Sequence, residues 1–116
     1  MNRFERINTL LGTMVSVGIN RISNMSFRIS ELPILVLRDA LVRIGKIYEE
    51  NLEEKIYVAG VSSGFLKCNT AYVAMQICGD ELLLAVYARE GIIKQHTTEK
   101  AVQKIEESLQ KYIVGA

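Results

Sequence analysis

Apolar residues recur at helical spacing at the start of the chain, where Phe4, Ile7, Leu10 and Leu11 would line one side of a short helix over Asn2 to Leu11, ended near Gly12. Thr13 to Asn20 then alternates, with Met14, Ser16 and Gly18 on one side and Val15, Val17 and Ile19 on the other. That period of two predicts a strand. Asn20 to Asn24 reads as a turn, and Met25 to Ile29 returns as a shorter strand with Met25, Phe27 and Ile29 sharing a side. Ser30 is placed to cap the next helix, Glu31 would sit where the helix dipole favours an anion, and Pro33 is tolerated in a first turn that lacks internal N–H bonds. The helix predicted there runs from about Glu31 to Asn51, with Ile34, Leu37, Leu41, Ile44 and Tyr48 as its buried stripe. Leu35, Val36 and Val42 lie off that stripe. They either widen the core face or form a second surface against another chain.

From Lys55 the chain is rich in β-branched and aromatic residues through Val61, which predicts a strand. Gly64 opens a turn. The segment Cys68 to Cys78 carries Val73, Met75 and Ile77 on one side and Tyr72 and Ala74 on the other, so as a strand it would be covered on both faces. A helix over Asn69 to Cys78 competes, because Ala71, Met75 and Cys78 also fit a helical stripe. Gly79-Asp80 makes a tight turn into a strand over Glu81 to Arg89, and Gly91 to Thr98 is a polar connection. Thr97 or Thr98 then caps a last helix with Val102, Ile105, Leu109 and Tyr112 along one face. The predicted order is α-β-β-α-β-β-β-α. The expected fold class is α+β: one domain over residues 1-116, with a five-stranded, mainly antiparallel sheet covered by helices on both faces.

Composition narrows the function. The chain has 116 residues, enough to bury a core of its own, and 49% of them are hydrophobic against 23% charged, an ordinary globular balance. With 14 Lys and Arg against 13 Asp and Glu the formal charge is +1, and the signs are mixed along the chain. Nothing in that balance favours nucleic acid or an anionic membrane as partner, and the Tyr and Phe residues do not alternate with Lys or Arg along the sequence as a base-stacking surface would. The longest apolar run, Leu82 to Ala88, has seven residues, against roughly 18 to 20 for a membrane span. No membrane insertion is expected. The stretch Arg3 to Ile19 lacks the continuous apolar core and small-residue cleavage site of a signal peptide, so the expected location is cytoplasmic.

Candidate chemistry is sparse. Gly60-Val61-Ser62-Ser63-Gly64 matches the G-x-S-x-G pattern of a nucleophile elbow, and Asp80 and His96 follow in the order of a Ser, Asp, His triad. The motif requires strand, strained turn and helix, and the helix after Ser62 is not indicated, so a loop between adjacent strands is the expected role. His96 has no carboxylate or Cys near it in sequence. Glu49, Glu50, Glu53 and Glu54 read as a solvated helix end. Cys68 and Cys78 on one extended segment would lie about 33 Å apart, against the roughly 4.4 to 6.8 Å of a disulfide, so both are expected as reduced thiols. A zinc site needs more ligands than these two and His96 supply. No catalytic residue, metal or cofactor is expected.

The runs Tyr72-Val73-Ala74-Met75, Leu82 through Glu90, and Ala101-Val102 through Ile105-Glu106-Glu107-Ser108-Leu109 resemble the closing hairpin and last helix of the Roadblock family. That family comprises dynein light chains, Ragulator-type scaffold subunits and bacterial and archaeal GTPase regulators. The resemblance covers about residues 55 to 113 by motif and the remainder by element order. The first helix is shorter than is usual there, and Asn20-Arg21-Ile22-Ser23-Asn24 stands where the family often has an acidic-glycine turn. The resemblance implies a non-enzymatic module, paired with itself or with a paralogous subunit, that scaffolds or regulates a small Ras-like GTPase. It also implies that the third strand joins two subunits at a sheet edge. Lys55 to Val61 is third in the predicted order and has no internal charge or Pro to guard it, although its two apolar sides would equally suit a central strand buried within one subunit. The expected interface residues are therefore Leu35, Val36 and Val42 on the helix and Tyr57, Val58 and Ala59 on the strand. Two other readings remain open: a small hydrolase-like α+β domain using Ser62, and a secretion-chaperone-like dimer holding an extended client.

Overall fold

The computed structural model describes residues 2–63, 69–89 and 97–114. Among them are three α-helices, α1 (Glu5–Val15), α2 (Ile34–Ile44) and α3 (Thr97–Ser108), and five strands. The strands are β1 (Ser23–Arg28), β2 (Gly45–Asn51), β3 (Ile56–Ser63), β4 (Asn69–Cys78) and β5 (Glu81–Ala88). They form one antiparallel sheet in the order β1-β5-β4-β3-β2, which puts the first two strands of the sequence at opposite edges.

The class is the expected one, with helices packed on both faces of the sheet. Side chains alternate along each strand, so each face has its own core. Tyr57, Ala59, Val61, Val73, Met75, Leu82, Leu84 and Val86 face α2 and α3, where Leu37, Leu41, Ala101, Ile105 and Leu109 close over them. Ile56, Val58, Ala74, Leu83 and Ala85 face α1, covered by Ile7 and Leu11. Leu82, Leu83 and Leu84 are all fully buried although they are consecutive. Burial of each contributes about 1.5–3 kcal/mol, and only a strand covered on both sides can collect all three. Residues 69–78 are strand throughout, which removes the competing helix.

Two expected boundaries are corrected. The strand expected over Thr13 to Asn20 does not form: α1 runs on through Gly12 to Val15 and stops at Ser16, which takes a left-handed conformation with φ 57° and returns its N–H to the Gly12 carbonyl. Met14 and Val15 pack with Phe4 and Leu10 beside the α1 core, so the helical stripe continued where alternation suggested a strand. The long helix expected to Asn51 ends at Ile44, and β2 begins at the next residue. Ser30 does not cap it; the helix starts after Pro33 with no side-chain cap. The strand expected before α2 therefore lies after it, and the order is α-β-α-β-β-β-β-α rather than the one the family resemblance implies.

Gly45 is the cause of the second change. A Cβ built there would stand 1.9 Å from the Gly60 carbonyl oxygen and 3.2 Å from the Val61 Cα. The chain can swing from helix into the ladder beside β3 only because this residue has no side chain. At the other end of the sheet, Gly79 takes φ 59° and Asp80 does not take a positive φ, the type II′ pattern of a two-residue hairpin, which sets Cys78 opposite Glu81.

Polar ties hold α1 in place. Asn8 and Asn24 exchange two hydrogen bonds through their amides, 3.0 and 2.7 Å, joining α1 to edge strand β1. Arg6 donates through Nε and Nη2 to both oxygens of Glu54 (3.2 and 2.8 Å), joining α1 to the turn between β2 and β3. The carboxylate also accepts from the Asn51 amide at 2.8 Å.

Gly45→Ala should destabilise the protein by about 2–3 kcal/mol, since the backbone it meets cannot move aside. A fall in Tm of roughly 10 °C in thermal denaturation is the expected reading. The hydrogen bonds from Arg6 hold the Glu54 carboxyl below the usual carboxylate range. A lowered folded-state pKa stabilises above the unfolded value, near 4.3, and that gain is lost as pH falls through the folded value. Glu54→Gln should therefore melt below wild type at neutral pH, and the gap should close as the pH is taken below about 4.

Candidate functional site

The residues expected to join two subunits divide into two groups. Tyr57, Val58 and Ala59 are fully buried. Their strand, β3, is hydrogen-bonded to β2 on one side and β4 on the other, so it offers no free edge. The assignment of β3 as an edge strand is thus corrected: its two apolar sides are the mark of an interior strand covered above and below. Leu35 and Val42 are different. They are 61% and 54% exposed on the outer side of α2, away from its buried Leu37, Ala40 and Leu41. Val36, expected with them, is half-buried against the core.

The edge on this side of the sheet is β2. It carries Lys46, Glu49 and Glu50, and its register shifts between Ile47 and Glu49. Charges and a bulge are the usual means by which an edge resists pairing with another sheet. Arg38 of α2 reaches Glu50 of this strand at 3.5 Å. Arg38 and Val42 share a groove of about 470 Å3 with residues Gly45 to Glu50.

The serine motif does not assemble a triad. Ser62 is exposed at the end of β3, and the next described element is β4, antiparallel to it, where a nucleophile elbow needs a helix. Its carbonyl accepts a hydrogen bond from the Lys104 ammonium. Asp80 lies at the far end of the hairpin: Ser62 pairs with Thr70, and the turn begins after Cys78. That separation along β4 is about 27 Å at 3.4 Å per residue. His96, Gly64 and Cys68 lie outside the described residues. Cys78 is an exposed free thiol. Of the acidic group, Glu50 and Glu54 are ion-paired to Arg38 and Arg6 on β2 and the turn after it, not on a helix end. Among the described residues no group of three His, Cys, Asp or Glu side chains is placed to hold a metal. No described helix is long and apolar enough to cross a membrane.

The fold does bring together a set of residues that sequence inspection missed. Tyr72 of β4 lies directly opposite Tyr87 of β5, and opposite Gly60 of β3 on its other side. Tyr48, at the irregular point of β2, lays its ring across Gly60, where a Cβ would come within 2.8 Å of it. Tyr48 and Tyr72 are 6.1 Å apart between ring centroids and tilted by 42°. The three phenols form a row across the α1 face of the sheet, and with Met14, Val15, Ser16, Val17, Arg21 and Arg89 they line a cleft of about 830 Å3. The Lys46 ammonium stands 5.5 Å from the Tyr48 centroid.

Tyr57 is a separate case. Among the described residues its buried hydroxyl makes no hydrogen bond of good geometry, although the Glu50 carboxylate lies close to it. Burial raises its pKa above the ordinary phenol value, and the nearby Glu50 carboxylate adds to the effect. A buried, unpaired hydroxyl costs about 1–3 kcal/mol. Tyr57→Phe should therefore raise Tm, read by thermal denaturation, whereas a fall would mean that the hydroxyl has a partner. No protein-family model matches this chain, and neither a curated protein nor a solved structure matches it.

Proposed function

We propose that this protein is a non-enzymatic binding module that pairs with a second copy of itself through the outer face of α2. The observation that supports this reading is the internal symmetry of that face. Leu35 and Val42 stand two turns apart, with Arg38 and Asp39 midway between them. If two copies of α2 packed antiparallel about a two-fold axis passing between residues 38 and 39, Leu35 of each copy would meet Val42 of the other. Arg38 would then meet Asp39. The face is self-complementary in both hydrophobicity and charge, which is what an isologous contact requires. The adjoining free edge of β2 is guarded by its charges, so the helix rather than the strand is the joint.

A paralogous subunit with the same helix face is the other partner of this chemistry. A role as scaffold or regulator of a small Ras-like GTPase rests on the resemblance to the Roadblock family alone. Most of the described residues that carry it lie in β4, β5 and α3. The distance between Ser62 and Asp80 supports a binding role over a hydrolytic one.

At tens of micromolar the wild type should sediment as a dimer. Val42→Lys should sediment as a folded monomer, with unchanged far-UV circular dichroism and an association at least about tenfold weaker. A monomeric wild type, or a Val42→Lys protein that unfolds, would overturn the reading. Binding of a purified Ras-like GTPase to the wild type and not to the monomeric variant is the check on partner class.

A further inference from the structure

We infer that the tyrosine-lined cleft is a binding site for a planar aromatic ligand that bears an anionic group. The cleft lies on the α1 face of the sheet, opposite the face packed by α2, so the inference is independent of self-association. Its volume, about 830 Å3, falls in the range of small-molecule sites, roughly 300–1,000 Å3.

The lining divides the work of recognition. Tyr48, Tyr72 and Tyr87 present aromatic surface in a row, and Met14 and Val15 at the end of α1 with Val17 just beyond it supply an apolar wall. A flat ring entering between wall and row would meet aromatic and apolar surface together, in the geometry that favours offset or tilted stacking. The row exists because Gly60 has no side chain: the Tyr48 ring lies over bare backbone there and so comes level with Tyr72.

Charge decides the class of ligand. Among the described residues, the charged side chains lining the cleft are Arg21 and Arg89, both cations, and no carboxylate lines it. Neither guanidinium has an ion pair or side-chain hydrogen bond among the described residues, whereas Arg3, Arg6, Arg28 and Arg38 each face a carboxylate. Guanidinium groups are weakly hydrated, bind carboxylate and phosphate in fork geometry, and stack on aromatic rings. Lys46, whose ammonium lies over the Tyr48 ring, adds a third positive group on the same face. An aromatic body over the tyrosines with its anion toward the arginines satisfies the whole set. A neutral aromatic ligand would leave both cations unused.

The test is a fluorescence titration of the full chain with two probes of similar shape: anilinonaphthalene sulfonate, which is anionic, and N-phenylnaphthylamine, which is neutral. The wild type should bind the anionic probe more tightly than the neutral one. Arg21→Glu with Arg89→Glu should weaken the anionic probe by about tenfold and move the neutral one less than twofold. Arg21→Gln with Arg89→Gln serves if the charge reversals disturb the fold by circular dichroism. Tyr72→Ala should weaken both probes. Displacement of the anionic probe by adenosine monophosphate but not by benzoate would assign a nucleotide, and the reverse an aromatic carboxylate. Failure of both at millimolar concentration would overturn the inference. So would equal affinity of the wild type for the two probes, or an anionic-probe affinity unchanged in both arginine double variants.

Discussion

The arrangement of this protein turns on one close approach, between Gly45 and the carbonyl of Gly60. At that point α2 becomes β2 with no intervening loop, and the new strand lies so near β3 that no side chain fits between them. Several things follow from it. The helix stops one turn after Leu41, so its buried stripe ends with Ile44 and the core on that face is completed by Ile47 from the strand. Tyr48, which would have been the next stripe residue of a longer helix, passes to the opposite face and lies on Gly60. The pair of glycines therefore separates the two faces of the molecule as well as joining two elements.

That separation gives the two sides different characters. On the α2 and α3 side two helices roof the centre of the sheet, and what stands out there is the outside of a helix, with its alternation of apolar and oppositely charged residues. On the α1 side a single helix leaves part of the sheet uncovered, and the uncovered part is aromatic and ringed by cations. A surface built from two turns of a helix can recognise its own copy. A concave one of mixed aromatic and cationic lining is suited to something smaller.

Most of the sheet could be read from the chain because its signals are local. The Gly79-Asp80 turn fixes the β4–β5 register, and the same register places Tyr72 opposite Tyr87, a pairing that follows from the turn alone and was available to inspection. Tyr48 could not be found in this way, because its place depends on a glycine whose helix-breaking effect is outweighed, residue by residue, by the good helical stripe around it. The stripe from Ile34 to Ile44 is periodic in a way that would continue through Tyr48, and only the steric demand at Gly60 ends it. The error at Thr13 has the opposite sign: alternation over a few residues imitated a strand where Met14 and Val15 extend a helix. The edge role of β3 failed for a topological reason. A two-sided apolar strand can be an edge awaiting a partner or an interior strand, and the difference lies in where β2 goes after α2. Leu35 and Val42, by contrast, were recognisable as off-stripe from helical phase alone.

The strand order also carries a consequence for how the molecule comes apart. Strands β2 to β5 are sequence neighbours joined by short connections, so their ladders close small loops. Strand β1 pairs with β5 across everything between Arg28 and Glu81, and α1, packed on β3, β4 and β5, is likewise far in sequence from the strands it covers. Loop entropy therefore weighs most heavily on the N-terminal helix and strand, which form a separable layer tied down by the Asn8–Asn24 amides and by the ion pairs of Arg3 with Glu81 and Arg6 with Glu54. When that layer lifts, it uncovers Leu83 and Ala85 together with the hydrogen-bonding edge of β5, an apolar template that a neighbouring chain could pair with. The amide exchange between buried Asn8 and exposed Asn24 is thus a latch, and its release exposes the strand this protein has most reason to keep covered.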